Sequence, residues 1–111
     1  MKRAVVTAIV VAFMGVGLAA QDAKKVATGK AAYEKFSCAK CHQIEGKGSK
    51  ISPLDGVGSK LTAAEIKQWL TDPDSMTAKL AKKPAVKMKK QEIGEADLDG
   101  LVAYLSTLKK K

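Results

Sequence analysis

An all-α domain of about three to four helices is the fold predicted by this 111-residue sequence. Apolar residues recur at helical spacing in three separate segments, and no segment shows the alternation of a half-buried strand. Two phenylalanines, two tyrosines and one tryptophan give little apolar volume, so short helices here need something further to pack around. With 46% hydrophobic and 28% charged residues, the chain is globular in composition and of a length that fits one domain.

The first twenty residues stand outside that domain. Lys2 and Arg3 precede an uncharged stretch from Ala4 to Ala20, closed by the small residues Gly17, Ala19 and Ala20. This is the layout of a secretory signal peptide, so residues 1–20 are expected to be cleaved after Ala19 or Ala20. Residues 21–111 then form the domain, ending in a short solvated lysine tail at Lys109-Lys110-Lys111. The alternative is an uncleaved membrane anchor, because the apolar run is at the short limit for crossing a hydrocarbon core of ~30 Å. Export places the protein in the periplasm. Loss of Lys2 and Arg3 takes the formal charge from +9 to +7, since every acid lies at Asp22 or beyond. Such a charge suits nucleic acid, anionic lipid or an acidic protein, and export argues against nucleic acid.

The first helix is predicted from Ala23 to Phe36, with Val26, Ala27, Tyr33 and Phe36 as its apolar positions. Between Gln43 and Lys60 the glycines and Pro53 interrupt any regular pattern, which predicts a loop. Thr62 followed by Glu65 is a capping-box signature, and Ile66, Trp69 and Leu70 share one face of the short helix it opens. That helix should end before Asp72-Pro73. Pro84 breaks the basic stretch from Met76 to Lys90, and acids at Glu95 and Asp97 suit the start of a last helix. It is expected from about Ala96 to Leu108, with Leu98, Leu101, Val102, Leu105 and Leu108 as its stripe.

The chemistry is concentrated in Cys38-Ala39-Lys40-Cys41-His42. Two thiols three positions apart can add to two vinyl groups of a haem while the adjoining imidazole sits under the iron, the pattern of c-type haem attachment. A structural zinc site normally takes four protein ligands, and two cysteines with a single histidine leave it incomplete. A redox dithiol of the same spacing expects a βαβ setting, and two cysteines are too few for a disulfide framework. One covalent haem c per chain, bound through Cys38 and Cys41 with His42 as axial ligand, also accounts for the missing core volume.

The sixth iron ligand is not a second histidine, since His42 is the only one. Met76 and Met88 remain as sulfur donors once Met1 and Met14 leave with the signal peptide, and either can equally be a packing residue.

Gly29 and Tyr33 before the motif, Pro53-Leu54 after it, Trp69-Leu70 midway and Leu101-Val102-Ala103-Tyr104-Leu105 near the end together resemble the class I cytochrome c family. The resemblance covers nearly all of residues 21–111 and implies a small cytochrome c fold with its helices and loops wrapped around one covalent haem. It implies Met88 rather than Met76 as ligand, on a loop that returns across the haem before the last helix. Lys89 follows Met88 where family members often carry proline, and Pro84 lies upstream instead. It further implies that the Pro53 carbonyl accepts a hydrogen bond from the His42 nitrogen turned away from the iron. Trp69 is expected to reach a haem propionate or to pack in the core, and Gly29 and Gly100 to let the first and last helices cross closely or to be tolerated helix glycines.

Ligation by His42 and Met88 fills both axial positions, which favours electron transport over catalysis or substrate binding at the iron. Lys79, Lys82, Lys83, Lys87, Lys89 and Lys90 surround Met88 and are expected to dock redox proteins with acidic surfaces. The competing functions are a haem subunit of a larger periplasmic oxidoreductase, and a haem enzyme or sensor with a labile sixth ligand.

Overall fold

The computed structural model describes residues 22–110; the expected signal peptide lies outside the described residues. Among them five α-helices surround a core with one very small sheet. Helix α1 spans residues 22–35, followed by a single 3₁₀ turn at Cys38–Lys40. Helices α2 (Val57–Lys60), α3 (Ala63–Thr71), α4 (Pro73–Ala78) and α5 (Glu95–Ser106) complete the set. None of the described helices is long and apolar enough to cross a membrane.

The capping box forms as expected: the Glu65 amide donates to Thr62 Oγ1 at 3.1 Å, and the Thr62 amide donates to Glu65 Oε1 at 2.9 Å. Helix α3 stops at Thr71, but the chain re-enters a helix at once. Asp72 accepts from the Ser75 amide at 3.3 Å and from its hydroxyl at 2.7 Å, and Pro73 occupies the first helical position. Asp-Pro thus ends one helix and starts the next, because proline lacks only an N–H that a first turn leaves unpaired anyway.

Strands do occur, contrary to the sequence expectation. β1 (His42–Ile44) pairs antiparallel with β2 (Lys47–Gly48) and parallel with β3 (Ser52–Pro53), giving the order β2-β1-β3. Glu45 and Gly46 join β1 to β2 with positive φ at both residues, 51° and 80°. A two-residue connection of that hand matches the twist of a hairpin. The segments are two or three residues long, too short to show an alternating pattern.

Ala32, Ile66, Leu70, Leu98, Leu101 and Leu105 form the buried cluster, drawn from α1, α3 and α5. Helices α1 and α5 meet at Gly29 and Gly100, where backbone lies against backbone. A Cβ on Gly29 would overlap the Gly100 carbonyl, and one on Gly100 would fall 2.8 Å from the Gly29 nitrogen. Beside this contact the Tyr33 and Tyr104 rings meet edge to face, with centroids 6.2 Å apart. The lysine tail is less free than its composition suggests: the Lys110 amide donates to Ser59 Oγ and Lys109 Nζ to the Gly58 carbonyl, both at 2.8 Å.

Helix propensity alone would make Gly100→Ala stabilising by about 1 kcal/mol. The crossing predicts the opposite sign, a loss of about 1–3 kcal/mol from overpacking, measured by urea unfolding.

Candidate haem-attachment site

The motif is presented by a change of hand at the end of α1. The Phe36 amide still donates to the Ala32 carbonyl at 2.9 Å, and Ser37 then turns left-handed with φ 56°. A 3₁₀ turn carries Cys38, and the Cys41 amide closes it on the Cys38 carbonyl at 3.2 Å. Cys38 is half-buried, Cys41 is exposed, and they are not bonded to one another. Burial is the main cause that pushes the Cys38 thiol above its ordinary pKa.

His42 opens β1, and the small sheet fixes its ring. Nδ1 lies 2.9 Å from the carbonyl oxygen of Ser52, the residue paired with it in β3. A carbonyl only accepts, so Nδ1 is the donor, and in the neutral ring the lone pair is then on Nε2, the form a metal requires. The acceptor is therefore Ser52, which corrects the expectation for Pro53 by one residue. Pro53 has a different part: the Ser52 and Leu54 amides donate to Cys41 and Gln43 at 3.0 and 2.8 Å. The intervening residue needs no N–H, so proline fits this strand without loss. Ser52 escaped the sequence reading because its contribution is a main-chain oxygen.

Met76 and Met88 differ in setting. Met76 is buried at 9% exposure within α4. Met88 lies in the irregular stretch between α4 and α5 and is half-buried against the core cluster. Trp69 is half-buried on α3 and stands outside that cluster. Of the six lysines around Met88, all exposed, Lys83 is already engaged. Its Nζ donates to the carbonyls of Thr77, Ala78 and Leu80 at 3.1, 2.7 and 2.8 Å.

These residues fit a c-type haem. Two unpaired thiols and a correctly protonated imidazole sit together, while Phe36, Leu54, Val57, Leu61 and Met88 are only partly covered against the core. The Tyr33 hydroxyl is buried with no partner among the described residues. Its pKa is pushed up to about 12, by burial first and then by Cys38. A large apolar group with polar edges would complete both the packing and the hydrogen bonding.

If the thiols are the attachment points, haem stays on the matured wild-type chain through denaturing electrophoresis. A Cys38→Ala/Cys41→Ala variant should lose it there, as haem staining of the same gel would report.

A family model described as Cytochrome c matches residues 26–109. No curated protein and no solved structure matches the chain.

Proposed function

This chain belongs to the cytochrome c family, a haem-c electron-transfer family, and on that premise we propose a periplasmic carrier that moves single electrons on one six-coordinate haem. When bound, the haem supplies a one-electron iron(III)/iron(II) couple. The observation that carries the reading is the hydrogen bond from His42 Nδ1 to the Ser52 carbonyl. It holds Nε2 available beside two unpaired thiols and raises the basicity of the imidazole.

Cys38 and Cys41 would hold the group, and the apolar side chains Phe36, Leu54, Val57, Leu61 and Met88, partly covered against the core, would help to exclude water from it. Met88 would hold the iron together with His42 in this proposal. Its place in an irregular segment against the core supports that role, whereas Met76 is already committed to packing inside α4. A haem held by both His42 and Met88 would leave no site at the iron for substrate, so the protein would act as a carrier rather than an enzyme. Members of the family are typically electron carriers. The basic residues before a small-residue cleavage pattern at 1–20 support export.

Partners with acidic docking surfaces are proposed from exposed Lys79, Lys82, Lys87, Lys89 and Lys90. Such a surface accelerates encounter and orients it, without requiring tight binding. Lys83 adds its charge to that surface but has no donor left for a partner, since an ammonium has three donors and three carbonyls hold them.

Ligation is tested by optical spectra of the oxidised protein. Met88→Ala should abolish the iron–sulfur band and Met76→Ala should retain it; loss in Met76→Ala alone would reverse the assignment. Docking is tested by the rate of electron transfer to an acidic redox protein, expected to fall steeply as ionic strength rises. A rate independent of salt removes the electrostatic surface from the proposal.

A further inference from the structure

Residues 79–94 join α4 to α5 without regular structure. A segment of that length has many conformations, so a side chain in its middle spends little time at any one point. Three features near its start remove much of that freedom. The Lys79 amide bonds the Met76 and Thr77 carbonyls, and the Leu80 amide bonds Thr77 at 3.1 Å. Lys83 then folds back and ties the carbonyls of Thr77, Ala78 and Leu80 with its three N–H donors. Pro84 follows directly, with its φ set by its ring.

We propose that Lys83 is a positioning residue for Met88: its ammonium clamps the end of α4 to the start of the loop and shortens the free tether that delivers the thioether to the iron. This rests on the reading of Met88 as the ligand. Thr77, one of the clamped residues, is itself buried at 5% exposure, so the clamp is anchored in the body of the protein. With it closed, the segment free to vary before the sulfur is residues 84–88; with it open, the Lys79 and Leu80 amides still hold the end of α4, and the segment is residues 81–88. The effective concentration of a tethered group falls roughly as the −3/2 power of tether length. Lengthening the tether from five residues to eight therefore lowers the local concentration of the Met88 sulfur about twofold.

Lys83 works through hydrogen bonds to the main chain, so its role separates from that of its neighbours. A lysine in a docking ring offers its charge to a partner. This one spends its donors at home, at a helix end where free carbonyls favour a cation.

The test is competition between Met88 and added imidazole at the ferric iron of the haem-loaded protein, followed optically. Lys83→Met should bind imidazole about twofold more tightly than wild type. Lys83→Gln, which keeps two amide donors, should fall between them, and Lys67→Met, an exposed lysine on α3, should match wild type. Unchanged imidazole affinity in Lys83→Met, or an equal rise in Lys67→Met, would overturn the proposal. A parallel Met88→Ala spectrum separates the two readings. If its iron–sulfur band is lost while Lys83→Met behaves as wild type, the clamp alone is wrong; if the band persists, Met88 is not the ligand and the clamp falls with it.

Discussion

The contact on which the fold depends is the crossing of α1 and α5 at Gly29 and Gly100, where main chain meets main chain. Two helices can approach this closely only where neither has a side chain at the contact. The crossing sets the tyrosine pair beside it and brings Ala32 of α1 into the cluster formed with α3 and α5. Helix α1 runs on to residue 35, and the cysteine motif starts three residues later. An exposed ion pair spans the same two helices, Lys35 to Asp97 at 3.2 Å, but at 66% and 27% exposure its contribution is small beside the packing.

Much of this was readable before any coordinates. The first helix, the capping box at Thr62 and Glu65, the break at Asp72 and the stripe of the last helix all follow from local rules, and each is found within a residue or two of its expected place. The glycine crossing is legible through the family resemblance, since the helical pattern alone leaves Gly29 and Gly100 equally open to being tolerated helix glycines. What escaped was non-local or carried by the main chain. The sheet strands are too short for periodicity, and the Ser52 carbonyl leaves no signature in a side chain. Helix α4 was missed because Asp72-Pro73 reads as a stop, although aspartate before proline is equally a start.

The basic loop shows why composition is a coarse guide to electrostatics. Six lysines within twelve residues look alike in a sequence, yet one completes the end of a helix while the others remain in solvent. Charge that is hydrogen-bonded at home differs from charge available to a partner. In the same way two methionines twelve positions apart differ by whether a helix or an irregular segment presents them.

The parallel pairing of His42 with Ser52 gives the intervening segment a meaning that its glycine-rich sequence hides. Carbonyls alternate in direction along a strand, so a slip of one residue would turn the oxygen opposite the imidazole away from it. Residues 45–51 are consequently a spacer of fixed count. Their identities are open to drift wherever the left-handed turn at Glu45-Gly46 and the close approach of Gly48 to the His42 carbonyl are respected, but their number is not. Insertions and deletions there face a stricter selection than substitutions do, the reverse of what a polar surface loop ordinarily experiences.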